Sequence, residues 1–356
     1  MNRPIRRIAF ITSTLKTGGS EKIILFLSKK MRKMGFETQL IVIGQKNPIN
    51  QSIDGIDITF LNKRKFRHSI FKLFKVLKKV KADIIFSSVV HLNIFLGLYK
   101  IFYPKTKCII RISSIISQSE KKSNSNLFLK QLKFFFIKKV DFLIFQSSEM
   151  KIDFMSVFPK ANLPTRIINN PIITPMLNLR QKTYEDFNLR FITVGSLTAL
   201  KGHKRILNSL NFLNKNFTYD IYGQGDQKST LEKMVTNLRM ETKVNFKGEI
   251  PFSHHLIKSP NTFYLLGSYF EGFPNAVLEA LSFGVPVIAF QSPGGHNEII
   301  ISGFNGFFAK SKKEFSEIIL KSIMYNWNKN DIIQNIYYRF DSQKILLQYK
   351  DLFQKI

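Results

Sequence analysis

Residues 191–205 read Phe191-Ile192-Thr193-Val194-Gly195-Ser196-Leu197-Thr198-Ala199-Leu200-Lys201-Gly202-His203-Lys204-Arg205. The run Phe191 to Val194 is apolar and β-rich, Gly195 and Ser196 end it, and Lys201-Gly202 stand where a helix begins. A buried strand that closes in a glycine loop and passes into a helix is half of a βαβ unit. Four runs of the same kind follow, at Tyr219 to Tyr222, Val244 to Phe246, Phe263 to Leu266 and Val287 to Ala289, with helical patterns between them. Six precede it, at Ile8 to Thr12, Leu40 to Ile43, Ile58 to Leu61, Asp83 to Phe86, Cys108 to Ile112 and Asp141 to Phe145. Between the two series, Asn169-Asn170-Pro171 opens a polar, Pro-containing stretch to about Asn188 that reads as a linker. The expected fold is α/β, two doubly wound Rossmann-like domains with an inter-domain cleft. The expected boundaries are 1–175 for the first, 176–340 for the second and 341–356 for a closing helix. Sheets of this kind bind ligands outside the carboxyl ends of their strands, so the loops after the strands are where chemistry is sought.

The whole chain of 356 residues is long enough for two such cores, and its 44% hydrophobic and 22% charged residues are those of a folded protein. Its formal net charge is +30, which draws polyanions or an anionic membrane surface. That charge is uneven: residues 1–180 hold 33 Lys+Arg against 9 Asp+Glu, and residues 181–356 hold 21 against 15. Lys63 to Lys81 carries nine basic residues, with Phe66, Ile70, Leu73, Leu77 and Val80 at helical spacing, and Leu127 to Val140 interleaves Lys130, Lys133, Lys138 and Lys139 with Leu132, Phe134, Phe135, Phe136 and Ile137. Each segment reads either as a helix that docks on anionic headgroups or as a solvated helix face whose apolar stripe covers a sheet. Arg3, Arg6 and Arg7 before Ile8 to Ile11 look like the start of a signal peptide, but the apolar run is too short, so a first buried strand is expected. No run approaches the roughly 18 apolar residues of a membrane span. One cysteine, Cys108, forms no internal disulfide, which fits a cytoplasmic protein, peripheral at the inner face of the membrane if the basic helices dock there.

Four loops look chemical. Thr17-Gly18-Gly19-Ser20-Glu21 ends the first strand, and paired glycines there serve either a tight turn capped by Ser20 or a phosphate approaching a helix start. Lys201 beside Gly202 reads as a cation for a diphosphate or as an exposed loop lysine, with Arg205 one turn further along the same face. Gly223-Gln224-Gly225 makes a further glycine turn. Ser268-Tyr269-Phe270-Glu271-Gly272-Phe273-Pro274-Asn275-Ala276-Val277-Leu278-Glu279 carries most: a carboxylate, a turn whose N–H groups open a helix, and a second carboxylate eight positions on, in apolar surroundings. Carboxylates grip sugar hydroxyls and a helix start receives phosphate, which together suit a nucleotide sugar.

This last segment resembles the E-x7-E signature of the retaining family-four glycosyltransferases of the GT-B fold, with Glu271 and Glu279 as its glutamates. Gly18-Gly19-Ser20-Glu21 is similar to that family's Gly-Gly-x-Glu loop, and Asn169-Asn170-Pro171-Ile172 to its Asn-Pro hinge. Lys201-Gly202 is similar to its Lys-Gly element and Gly223-x-Gly225 to the following turn. Pro293-Gly294-Gly295-His296-Asn297-Glu298, with Asn305-Gly306, resembles its trailing elements. The resemblance implies a nucleotide-diphosphate sugar, a UDP-sugar, held with Lys201 on the diphosphate, Glu279 on the ribose, and Glu271 with the backbone of Gly272, Phe273, Pro274 and Asn275 on the sugar. It places Gly18 and Gly19 near the phosphates. His91 matches a histidine near the sugar and reads equally as a structural residue at a helix start. It implies a glycan or polyprenyl-diphosphate-linked acceptor and a role in bacterial surface-polysaccharide assembly. Ser196 departs from the family pattern, which has an arginine there, and Arg205 is expected to compensate. No Asp-x-Asp motif is present, so no metal and no other cofactor is expected.

Two other classes share part of this pattern. A nucleotide-sugar epimerase shares the architecture but needs no acceptor. A basic nucleic-acid or membrane-binding protein with a disabled donor site would explain the charge, yet no RRM, KH or helix-turn-helix signature appears, so nucleic acid is not an expected partner.

Overall fold

A computed structural model of the chain describes residues 7–15, 18–45, 55–123, 127–174, 186–250 and 252–356. Arg3, Arg6, Lys16, Thr17 and residues 175–185 of the expected linker lie outside them. The chain divides into two compact units, residues 1–171 with 342–356, and residues 172–341. The boundary thus falls at Pro171, a little before the expected 175, and the last helix, expected as a separate closing element, belongs to the first unit.

The first unit runs β1 (Arg7–Thr12), α1 (Gly19–Lys33), β2 (Glu37–Val42), β3 (Asp57–Phe60), α2 (Ile70–Val80), β4 (Ile84–Ser87), α3 (Val90–Phe102), β5 (Lys107–Arg111), α4 (Ile116–Ser123), α5 (Leu127–Ile137), β6 (Phe142–Phe145), α6 (Ser148–Val157) and β7 (Thr165–Ile167). Its seven strands lie in the order β3-β2-β1-β4-β5-β6-β7, and the pairs are parallel. Ile8, Ala9, Phe10 and Ile11 are fully buried, as a central strand covered by helices on both faces requires.

The second unit runs β8 (Arg190–Val194), α7 (His203–Leu210), β9 (Thr218–Tyr222), α8 (Lys228–Asn237), β10 (Val244–Gly248), β11 (Thr262–Leu266), α9 (Asn275–Ser282), β12 (Val287–Phe290), α10 (His296–Ile299), β13 (Gly306–Ala309), α11 (Lys312–Met324) and α12 (Lys329–Arg339). Its sheet has the order β10-β9-β8-β11-β12-β13, again parallel. Its core gathers Phe191, Ile206, Leu207, Tyr219, Leu265, Ile288 and Phe315.

The final helix, α13 (Ser342–Lys355), returns to the first unit because its apolar face is aromatic and fits there. Phe353 is fully buried and sits edge-on to Phe10 at 6.4 Å, Phe86 at 5.9 Å and Phe36 at 6.5 Å. Edge-to-face pairs of this kind add to the hydrophobic gain of burial. Arg166 on β7 pairs with Asp351 of α13 at 2.9 Å.

Candidate functional site

In the second unit the chemistry gathers beyond the carboxyl ends of β8, β11 and β12. The fully buried Tyr264 of β11 donates its hydroxyl to the Val194 carbonyl at the end of β8, 3.0 Å away. Burial chiefly, with Glu271, Tyr219 and Glu279 nearby, pushes that phenol well above its usual range. Glu271 and Glu279 thus both lie near enough to Tyr264 to act on its hydroxyl. Glu279 is half-buried on α9.

The loop after β8 carries Lys201, and the loop after β11 carries Glu271. Lys201 Nζ and Glu271 Oε1 form an ion pair at 2.5 Å, with the glutamate side chain only 10% exposed. Ser268 Oγ donates to the same oxygen at 2.5 Å. A carboxylate this sheltered needs partners, and it has two. The two loops are stitched together, since Tyr269 N donates to the Leu200 carbonyl at 3.0 Å. Gly202, left-handed at φ 61°, fits under the Gly267 carbonyl, which an added Cβ would approach to 1.7 Å.

A third loop braces the carboxylate from the far side. Glu271 N donates to the Pro293 carbonyl at 3.1 Å and Gly295 N to the Gly272 carbonyl at 2.8 Å. Gly294, with φ +138°, leaves room for the Glu271 carbonyl, which a Cβ would meet at 1.9 Å. His296 is fully buried, and its Nε2 lies 3.2 Å from Ser292 Oγ. Burial pulls its pKa down to about 4 against the pull of Glu271. His203 likewise is buried and neutral, its pKa down to about 4 through burial, and its Nε2 donates to the Ser196 carbonyl at 3.2 Å. The Gly223-x-Gly225 turn lies against the backbone of Gly195 and Leu197, so its small residues are explained by that close approach.

Arg205 does not stand free to replace the arginine that Ser196 lacks. Its Nε donates to the Gly267 carbonyl at 2.7 Å and Nη2 to the Ser268 carbonyl. Its guanidinium lies over the rings of Tyr269 at 4.3 Å and Phe290 at 4.1 Å. Burial lowers its pKa to about 10, which still leaves it charged at neutral pH. Arg205 holds the Glu271 loop. Phe273 turns its buried ring towards Phe340 at 5.8 Å, so its backbone is what faces the loop, with Gly272 and Pro274 buried and Asn275 opening α9.

The remaining expected residues lie in the first unit. Gly18, extended at φ −62°, caps α1, whose first residue is Gly19, so Ser20 lies inside the helix rather than capping it. His91 is at the start of α3, with Nε2 2.9 Å from Ser13 Oγ after β1 and its ring 4.7 Å from that of Phe66. Burial lowers its pKa. Ser268, His203 and His296 stand in the segments that the sequence singles out but carry no role there, and Ser13 stands outside them. Ser268, three residues before Glu271 at a strand end, carried the only local signal.

Two units that are each a parallel sheet covered by helices make up the GT-B fold, and solved structures share it. Residues 179–338, which make up most of the second unit, match the model of the family "Glycosyl transferases group 1". An uncharacterized glycosyltransferase of Haemophilus influenzae is 23% identical, over 85% of each chain. The Campylobacter jejuni N-acetylgalactosamine-N,N'-diacetylbacillosaminyl-diphospho-undecaprenol 4-alpha-N-acetylgalactosaminyltransferase is 25% identical over 83% of each. Anabaena HepE, solved with UDP and glucose, shares the fold with a TM-score of 0.81 at 17% identity, covering 99% of this chain and 100% of that one.

Proposed function

We propose that the second unit binds a UDP-sugar and transfers its sugar, with retention of configuration, to a polyprenyl-diphosphate-linked or other glycan acceptor in cell-surface polysaccharide assembly. The observation that carries this reading is the Lys201–Glu271 pair at 2.5 Å, held by three loops at one sheet end. Without ligand the two charges satisfy each other. A diphosphate draws Lys201 away, and the freed Glu271 carboxylate accepts hydrogen bonds from the sugar hydroxyls. Glu279 takes the ribose hydroxyls, and the start of α9 with the backbone of Gly272 to Asn275 faces the sugar and its phosphate.

The leaving phosphate takes the acceptor hydroxyl's proton as the new glycosidic bond forms on the face the nucleotide leaves. The protein's work is positioning and charge stabilisation. Lys201 and the helix start supply the positive charge, so transfer proceeds without a metal. The Campylobacter relative named for an undecaprenol-linked substrate supports the lipid-linked acceptor, and HepE with UDP supports the nucleotide.

The test is transfer from a panel of sugar nucleotides to a polyprenyl-diphosphate glycan, reading free UDP and product anomer by NMR. UDP release that needs the acceptor, an α-linked product from an α-linked donor, and full rate in EDTA are expected. Sugar isomerisation without acceptor would establish an epimerase instead.

A further inference from the structure

Of the two basic amphipathic segments in the first unit, the structure separates one that is used up from one that is not. On α2, Leu73, Leu77 and Val80 are buried and only Phe71 stands out in solvent, while Phe74 packs on Phe95 and Tyr99 of α3, so its apolar stripe is spent within the unit. On α5, Phe128 is 68%, Leu132 41% and Phe135 46% exposed. These positions recur at i, i+4 and i+7, one stripe of the helix, with Leu129 beside them. The other side of α5 does the packing: Ile137 is buried, Phe134 stacks on Phe158 at 4.7 Å, and Phe136 lies against Gly97 of α3. The exposed stripe borders a shallow hollow of about 380 Å³.

The charge beside this stripe is mainly positive, with Glu120 of α4 paired to Lys133 of α5 at 2.8 Å. α2, α3 and α5 contain no Asp or Glu. Lys138 and Lys139 directly follow α5, their ammonium groups over the rings of Phe134 at 5.1 Å and Phe135 at 5.2 Å. A second copy of this chain would bring the same positive face against it. A nucleic acid would meet the lysines and leave Leu129 and Leu132 in water. An anionic bilayer meets both, taking aromatic and aliphatic side chains at the acyl boundary and lysines among the phosphates.

We propose that α5 docks the first unit on an anionic phospholipid bilayer, with Phe128, Leu129, Leu132 and Phe135 entering the headgroup region and Lys138 and Lys139 resting on lipid phosphates. Among the described residues no helix is long and apolar enough to cross a membrane, and interfacial docking needs none.

The test is co-sedimentation of the full chain with vesicles of phosphatidylglycerol and phosphatidylcholine in equal parts, and with phosphatidylcholine alone, without nucleotide or acceptor, so the result is independent of the transferase reading. The chain is expected to pellet with the mixed vesicles only, and less as salt rises. Phe128→Ser with Leu132→Ser and Phe135→Ser should weaken binding about tenfold while the chain stays folded by circular dichroism, because these side chains stand outside the buried core. Lys138→Gln and Lys139→Gln should each cost about fivefold. Equal binding to neutral vesicles, no pelleting, or wild-type binding by the triple serine variant would overturn the proposal. So would a dimer in sedimentation velocity that the triple variant abolishes while vesicles bind nothing.

Discussion

Replacing Arg205 separates two ways in which a cation serves this site. Its guanidinium makes two charge-assisted hydrogen bonds to loop carbonyls, one of them at 2.7 Å to Gly267. It also lies between the rings of Tyr269 and Phe290. Bonds to charged groups contribute roughly 1.5–3 kcal/mol each, and a partly desolvated cation–π contact about 1 kcal/mol. Some of that returns when the loop relaxes and water reaches the carbonyls, so Arg205→Ala should destabilise the second unit by about 3 kcal/mol. The one tryptophan, Trp327, packs on that unit's core, so its fluorescence during urea unfolding reports this unit. The midpoint should fall by about 1–2 M. Arg205→Lys keeps the charge but loses the planar fork and the stacking, so it should lose most of the stability and weaken UDP binding nearly as much as alanine does. Wild-type UDP affinity in Arg205→Lys would refute this reasoning and show that Arg205 acts on the diphosphate as a point charge.

Gly294→Ala, with a Cβ forced to 1.9 Å from the Glu271 carbonyl, should displace that loop and abolish transfer while costing stability of about 2 kcal/mol or more by the same urea titration. His203 and His296, whose pKa values fall to about 4 in the folded chain, have about 6.5 when unfolded. The unfolded state therefore binds their protons first. The stability they confer is fully present above about pH 6.5 and drains away as pH falls towards 4, by up to about 1.4 kcal/mol per pH unit for each. Urea midpoints against pH should show this slope, and His296→Gln should reduce it. Truncation after Asp341 removes α13 and bares the aromatic surface of Phe10, Phe36 and Phe86. Circular dichroism should then show an early melting transition of the first unit, with Trp327 fluorescence unchanged.

Most strands were legible in the sequence because parallel strands covered on both faces are continuous apolar runs, as Phe191 to Val194 shows. Two edge strands were not. β7 is three residues of mixed character, and β13, Gly306–Ala309, opens on a glycine, a weak strand former. The fate of α13 was illegible because amphipathic spacing tells that a face is buried but not against what. The same limit hid which basic helix spends its apolar stripe within the unit, α2 or α5. In the site, Glu271, Glu279 and Lys201 were readable from type and spacing. Arg205 was placed near them, but its work on the carbonyls of Gly267 and Ser268 depends on a loop 62 residues away in sequence.

The claim on which the account turns is that the second unit holds a nucleotide diphosphate between Lys201, Glu271 and Glu279. Calorimetric titration of UDP into the wild-type chain, Lys201→Met and Glu279→Ala measures it most directly. The account predicts binding by the wild type that weakens at least about tenfold in each variant, the loss of one charge-assisted contact, with Trp327 unfolding curves that stay two-state. Equal UDP affinity in all three proteins, or none in the wild type, would contradict it.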